Sequence, residues 1–219
     1  MKNKIFLIYK NLYRHFGPQH WWPGDTRFEV MIGAILTQNT SWLNVEKAIA
    51  SLKKHKLLKP HKLYKLSSKK LASLIKPAGY YNIKAKRLKN FLRFLSVNYD
   101  GKIGKMSKEE TQALRSRLLA VNGIGRETAD SILLYALDKK IFVIDAYTKR
   151  ILARHKLIGE HADYDEVQNL FMRHLPSRID IFNEYHALLV RLGKEFCLKN
   201  KPRCEECPIG KEQFTVHSS

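Results

Sequence analysis

Apolar residues recur at intervals of three and four along nearly all of this 219-residue chain. Two of the clearest stripes run from Phe28 to Leu36 and from Leu88 to Leu95. This spacing is typical of helices that bury one face, whereas strands of an exposed sheet show strict alternation. No alternating hairpin pattern is found in the sequence, so we predict an all-α fold.

Glycine and proline divide the stripes into about ten short predicted helices. The breaks fall at Gly17-Pro18, Pro23-Gly24, Lys59-Pro60, Pro77-Ala78-Gly79, Asp100-Gly101, Asn122–Gly125, Gly159, Pro176 and Pro202. One short apolar run, Ile141–Ile144, fits either a buried strand or a buried loop, and periodicity does not separate the two.

Basic residues outnumber acidic ones by two to one. The chain has 40 Lys and Arg against 20 Asp and Glu, a formal net charge of +20, and the excess is spread along the sequence. Such a protein binds a polyanion, most commonly a nucleic acid backbone, although ribosomal and membrane-surface proteins show the same balance. No apolar run reaches the length of about 20 residues that a membrane span requires.

The segment from Leu118 to Asp130 predicts a helix, a tight turn and a second helix. In the turn, Gly123 and Gly125 flank Ile124, an apolar residue suited to plug the gap between the two helices. The second helix begins with N–H groups that have no partner within the helix, which makes an anion site suited to DNA phosphate. An ordinary helix–helix turn with a glycine cap is the alternative.

Several motifs occur in one order along the chain. The hairpin is followed by Phe142-Val143-Ile144-Asp145, and the tail carries Cys197-x6-Cys204-x2-Cys207. Leu36–Thr40 and Gly79–Ala85 precede them. In this combination the sequence resembles the endonuclease III superfamily of helix-hairpin-helix DNA glycosylases over nearly its whole length.

The resemblance implies two all-α subdomains that flank a DNA-binding cleft. One is a helical barrel with the hairpin, which we place at residues 27–138. The other joins the N-terminal helix to the C-terminal helices, residues 1–26 and 139–219, and includes the cysteine loop.

By resemblance, Asp145 is the catalytic carboxylate. Departure of a base leaves positive charge on the sugar, and a fixed carboxylate stabilises that charge or orients the attacking water. The alternative for Asp145 is a helix N-cap before Ala146, and both roles can coexist.

Glu127 departs from one family pattern. Members that also cut the strand carry a lysine two residues after the last glycine of the hairpin, and the 18-residue spacing to Asp145 supports this register. A carboxylate cannot form the Schiff base that an amine forms. We therefore expect a monofunctional enzyme similar to the 3-methyladenine glycosylases of the superfamily. A solvated acid at the helix N-terminus is the alternative for Glu127, and Lys149 is a substitute amine.

A glycosylase must hold a base that is rotated out of the stack. Trp21, Trp22 and Trp42 are the candidate pocket walls, because an indole face attracts an alkylated, cationic base. The alternative for each is core packing. By resemblance, Gln38 fills the gap left by the base and Tyr80 wedges into the opposite strand. The further expected DNA contacts are Lys84, on a helix face that is otherwise simply solvated, and Gly123, Ile124, Gly125, Arg126 and Thr128.

The cysteine tail departs from the family pattern as well. A complete loop holds a [4Fe–4S] cluster with a fourth cysteine, and this chain has Gln213 at that position. Cys197, Cys204 and Cys207 therefore predict either a cluster with another fourth ligand or a loop without metal. A zinc site completed by His217 is a lesser alternative.

Taken together, the sequence predicts a base-excision DNA N-glycosylase, monofunctional and acting on a damaged, alkylated base in double-stranded DNA. The alternatives are an endonuclease III-type glycosylase and AP lyase on oxidised pyrimidines, and a non-catalytic helix-hairpin-helix DNA-binding module. We expect a soluble, monomeric, cytoplasmic and nucleoid-associated protein with no membrane partner.

Overall fold

The computed structural model describes residues 2–210, and this range contains twelve α-helices, a 3-10 turn, a π-helical turn and no β-strand. The predicted all-α fold is confirmed. Within this range no helix has the length and apolar character needed to cross a membrane. The chain divides into a central unit, Pro23–Lys139, and a terminal unit made of the residues up to Trp22 and those from Lys140 onward. The subdomain boundaries predicted from the sequence, 26/27 and 138/139, differ slightly from these positions, and the assignment stays a prediction.

The central unit contains eight α-helices in its described residues. They are α2 (Arg27–Leu36), α3 (Trp42–Lys54), α4 (Pro60–Lys65), α5 (Ser68–Leu74), α6 (Tyr81–Tyr99), α7 (Ile103–Met106), α8 (Thr111–Leu119) and α9 (Arg126–Ser131). The 3-10 turn Lys76–Ala78 precedes α6, and the π-helical turn Ile132–Ala136 follows α9.

Helix α2 forms the centre of this unit. Nine of its ten residues are buried, as expected of a helix that is apolar on all sides. Its N-cap is Thr26, whose side chain accepts a hydrogen bond from the Glu29 N–H and so satisfies one donor of the first turn. Helices α3, α6 and α9 and the π-helical turn pack around it.

The terminal unit contains α1 (Lys2–Phe16), α10 (Ala146–Arg154), α11 (Tyr164–His174) and α12 (Ile179–Glu195). The apolar run Ile141–Ile144 is a buried loop. A buried main chain without a neighbouring strand needs side-chain partners. Gln168 Nε2 donates to the Phe142 carbonyl at 2.6 Å, and the Ile144 N–H donates to the Tyr164 hydroxyl at 3.3 Å. These two hydrogen bonds to α11 fix the loop, and with it the position of Asp145, which directly follows Ile144.

Helices α10 and α12 are in close contact. A Cβ added to Gly193 would lie 2.3 Å from the Tyr147 ring, so glycine is required at this crossing. Arg150 of α10 adds two hydrogen bonds to main-chain carbonyls at the end of α12, Gly193 at 3.0 Å and Cys197 at 2.8 Å. The start of α10 is therefore held in a defined place against α12.

Candidate functional site

The predicted helix-hairpin-helix is present in the central unit as α8, a turn and α9. Gly123 has φ of +96°, a region that L side chains rarely adopt. Ile124 is 5% exposed, so it plugs the hairpin as expected, and its N–H donates to the Val121 carbonyl at 3.0 Å. The two helices are joined by an ion pair in which Arg115 contacts both oxygens of Asp130, whose side chain is fully buried.

Hydrogen bonds to its carbonyls fix the orientation of the turn. Asn90 Nδ2 of α6 donates to the Asn122 carbonyl at 3.0 Å. The N–H and C=O of a trans peptide point in opposite directions, so this contact turns the Gly123 N–H away from Asn90. At the start of α9, Gly125 has φ −90° and ψ 176°, and Arg126 and Glu127 are exposed. Backbone donors and an exposed arginine are suited to phosphate.

Gln38 is bound to the hairpin. Its Nε2 donates to the Gly123 carbonyl at 3.1 Å and to the Thr128 hydroxyl at 2.9 Å. Its Oε1 accepts a hydrogen bond from Arg87 of α6. The structure thus brings Gln38, Gly123 and Thr128 together, and Arg87 is a member of this network that the sequence did not indicate. The role of Gln38 in filling the gap left by a base stays a prediction.

Tyr80 lies at the tip of the turn before α6. Its side chain is 70% exposed, and its φ of +42° is unusual for a residue other than glycine. An exposed ring on a turn of this kind is accessible to a partner. That the Tyr80 ring wedges into the strand opposite the damaged base stays a prediction, which this exposure supports.

Lys84 requires a correction. We expected it on a solvated helix face with access to phosphate, but its side chain is 1% exposed and Nζ donates to the Ala78 carbonyl at 2.7 Å. The side chain points into the central unit and closes the turn that carries Tyr80. Burial, with a smaller effect of Arg87, lowers the pKa of Lys84 to about 8.

This buried amine predicts a pH dependence of stability. Between about pH 8 and its ordinary pKa, Lys84 is neutral in the folded protein and protonated in the unfolded chain. The unfolded state then binds more protons, so the free energy of unfolding rises with pH in this window. We expect the wild type to gain stability relative to Lys84→Met between about pH 8 and about pH 10 in urea unfolding. Lys86→Met, at an exposed neighbour, is the control, and a Lys84→Met difference that stays constant with pH contradicts the prediction.

Asp145 is the N-cap of α10, as one of the two sequence interpretations held. Its Oδ1 accepts a hydrogen bond from the Thr148 N–H at 2.7 Å. The side chain is 10% exposed, so the carboxylate is largely screened from solvent. The second oxygen, Oδ2, lies 3.7 Å from Nε2 of His186 on α12. His186 was not predicted, because a single histidine in an apolar helix carries no motif.

Comparison with known proteins identifies the family. The family model of the HhH-GPD superfamily of base excision DNA repair proteins matches residues 32–177, which include the hairpin and Asp145. The chain belongs to the HhH-GPD superfamily.

Relatives and solved structures agree with this assignment. A Methanocaldococcus jannaschii protein, provisionally named a DNA repair glycosylase, is 53% identical over 94% of this chain and 93% of its own. The structure of Helicobacter pylori 3-methyladenine DNA glycosylase bound to 1,N6-ethenoadenine is 29% identical, with a TM-score of 0.76 over 87% of this chain and 97% of that one. An endonuclease III–DNA complex shares the fold at 21% identity, with a TM-score of 0.81 over 95% and 93% of the two chains.

The expected enzyme class, a base-excision DNA glycosylase, is confirmed, and so is DNA as its partner. The alternative of a non-catalytic binding module is therefore not retained.

The tryptophans of this HhH-GPD chain lie in different units. Trp21 and Trp22 of the terminal unit are half-buried, with ring centroids 5.3 Å apart in an edge-to-face arrangement. Trp21 lines a cavity of about 610 Å³ together with His20, Lys140, Arg178, Asp180 and Glu184. Trp42 belongs to the central unit, and its indole N–H donates to Glu46 on the same helix at 2.7 Å. Their assignment to a base pocket stays a prediction.

The three cysteines of the C-terminal loop differ in burial. Cys197 is buried and its Sγ accepts a hydrogen bond from Arg154 at 3.3 Å, whereas Cys204 is exposed. Burial raises the pKa of the Cys207 thiol, which favours the form that does not ligate. Among residues 2–210, no three His, Cys, Asp or Glu side chains are arranged to hold a metal ion. The described cysteines supply three of the four ligands that a four-iron cluster needs.

Two of the ligand alternatives, Gln213 and His217, lie outside the described residues. Both metal predictions therefore stay predictions, and iron and zinc analysis of the purified protein tests them.

Proposed function

We propose that this glycosylase is monofunctional and hydrolyses the bond between a damaged, alkylated base and its deoxyribose in double-stranded DNA. The observation that carries the proposal is the exposed carboxylate of Glu127 in the first turn of α9. In strand-cutting members that the sequence resembles, this position holds the amine that forms the Schiff base. A carboxylate does not form one, so water is left as the nucleophile.

The role proposed for Asp145 is to stabilise the positive charge that develops on the sugar. As the C–N bond breaks, its electron pair leaves with the base and positive charge develops on the sugar. A carboxylate held by the Thr148 N–H is already oriented, and in a screened site its charge stabilises that state more than it would in water. Water then adds to the sugar carbon and gives up a proton to the surrounding solvent, which leaves an abasic site and the released base.

The hairpin is proposed to hold the DNA backbone without reading its sequence. Its glycines allow the close approach of phosphate to main-chain N–H groups, and Arg126 adds a charge. The excess of basic residues makes such binding weaken steeply as salt is raised.

One relative supports an alkylated base as the substrate. The Helicobacter pylori enzyme, which is 29% identical over most of this chain, is a 3-methyladenine glycosylase and was solved with an adenine adduct. The pair Trp21 and Trp22 offers indole faces suited to a cationic purine, an attraction of about 0.5–2 kcal/mol.

The second candidate, a bifunctional enzyme, is favoured by Lys149, a half-buried amine four residues after Asp145.

Product analysis on a panel of duplexes, each with one lesion, tests this function. We expect abasic sites at an alkylated purine, with strand breaks seen only after alkali. Borohydride treatment should leave no covalent protein–DNA adduct. A trapped adduct that disappears in Lys149→Gln would establish the bifunctional alternative instead, and release of oxidised pyrimidines alone would overturn the proposed substrate class.

A further inference from the structure

We propose that His186 is a positioning residue for the reaction: its neutral imidazole holds the second oxygen of Asp145 in place and leaves the carboxylate its full charge. The inference rests on the proposed role of Asp145. It assigns a second residue, on a different helix, to the same step.

The two oxygens of Asp145 have different neighbours. The N-cap hydrogen bond from Thr148 occupies Oδ1 at 2.7 Å, and Oδ2 faces the His186 ring at 3.7 Å. This second distance is longer than a hydrogen bond. The side chains are only 6% and 10% exposed, so few water molecules reach the pair and the ring limits the rotation of the carboxylate.

The His186 ring is itself fixed by the core of the terminal unit. It stands edge-to-face against Phe142, with centroids 6.5 Å apart, and Phe142 is stacked on Phe171 at 4.0 Å. Phe142 belongs to the loop that directly precedes Asp145. The loop and α12 therefore determine the position of the ring and the carboxylate together.

Burial also determines the charge of the pair. It lowers the pKa of His186 below the ordinary value, and Asp145 opposes this with a smaller effect in the other direction. The imidazole is thus neutral near pH 7. A protonated ring would neutralise Asp145, and the developing positive charge on the sugar would lose its stabilising partner.

Three other titratable groups, on α12, α1 and α10, are neutral or bound elsewhere. Burial raises the pKa of both Tyr185, the neighbour on α12, and Tyr9 of α1, so both phenols are neutral. Arg150 of α10 donates to the carbonyls of Gly193 and Cys197. Asp145 is the charged group that acts on the pKa of His186, so protonation of His186 changes the charge beside Asp145.

Two variants at position 186 test the inference by single-turnover base release. His186→Leu removes the ring nitrogen that faces Oδ2 of Asp145, and we expect the rate at neutral pH to fall about tenfold to hundredfold, the range found for partners that orient metal ligands. His186→Gln keeps a neutral donor and should recover the rate to within about threefold. Affinity for the lesion duplex should stay within about twofold in both, because the His186 side chain is buried against Asp145 and Phe142.

The pH profile separates positioning from a structural role. The wild-type rate should fall as acid protonates His186, and His186→Gln should lose this acid limb. A purely structural histidine would lower the melting temperature and leave the profile unchanged. An acid limb retained in His186→Gln, or a His186→Leu rate equal to that of the wild type, overturns the inference.

Asp145→Asn, measured in parallel, distinguishes failure of the proposed function from failure of the inference about His186. If Asp145→Asn releases base normally, the proposed function fails. If it is inactive while both His186 variants behave as the wild type, only the inference fails. Should the His186 variants not fold, NMR titration of His186 in Asp145→Asn decides: loss of the carboxylate should move the titration to lower pH, and an unchanged titration contradicts the contact.

Discussion

Asp145→Asn should abolish base release while the protein remains folded and still binds DNA. Asparagine is as good an N-cap as aspartate, so its Oδ1 can accept the Thr148 N–H and α10 keeps its start. The charge that stabilises the sugar is lost, however. We expect the single-turnover rate on a lesion duplex to fall by at least about a hundredfold, with little change in melting temperature.

Asp163→Asn is the matched control for this experiment. Asp163 caps α11 with the same geometry, accepting the Glu166 N–H at 2.7 Å, and has no assigned role in the reaction. It should leave base release and stability unchanged. Equal activity of Asp145→Asn and the wild type would show that Asp145 is a cap and nothing more.

Gly123→Ala should weaken both the fold of the central unit and its binding to DNA. A methyl group at φ of +96° is strained by about 1–2 kcal/mol. The added Cβ would also lie 2.3 Å from Cγ of Arg87, which is bonded to Gln38. Moving Arg87 disturbs the link between Gln38 and the hairpin. We expect the free energy of unfolding to fall by about 2–3 kcal/mol and affinity for duplex DNA to fall about tenfold or more.

Gly104→Ala in α7 is the control, because its Cβ meets no atom within 4 Å. Gly125→Ala adds a comparison for stability alone: the position has φ of −90° and open space, so unfolding should be unaffected. Urea unfolding and DNA titration of the three variants measure these effects. A Gly123→Ala protein as stable as Gly104→Ala would show that the turn tolerates a side chain and that the close approach is not required.

Local sequence patterns predicted much of this protein. The three-to-four spacing of apolar residues depends on the backbone period of the helix itself, so it identified the all-α fold without tertiary information. The Gly-Ile-Gly turn likewise specified a hairpin, because the left-handed backbone at Gly123 and the apolar plug Ile124 are requirements of the turn. Asp145 before α10 was readable as a cap for the same reason.

The error at Lys84 has a different origin. Its neighbours Lys86 and Lys89 are basic too, but they do not share its face of α6, because Lys84 lies four residues before the buried Leu88 and so belongs to the apolar face. There it lies one turn after Tyr80, and its Nζ donates to the Ala78 carbonyl. A long side chain satisfies that carbonyl from inside the unit. Helical spacing does not show which buried carbonyl lacks a partner, since that depends on how the preceding turn packs.

The sequence by itself determined the class of fold, the hairpin and the residue types available for chemistry, because these follow from interactions between residues close in the chain. Only the tertiary structure placed His186 beside Asp145, bound the Gln38 amide to the hairpin and buried the Lys84 amine. Asp145 and His186 lie on different helices, and Gln38 and Gly123 are 85 residues apart. Such contacts are set by the packing of whole helices against one another, and no local pattern specifies which side chains that packing brings face to face.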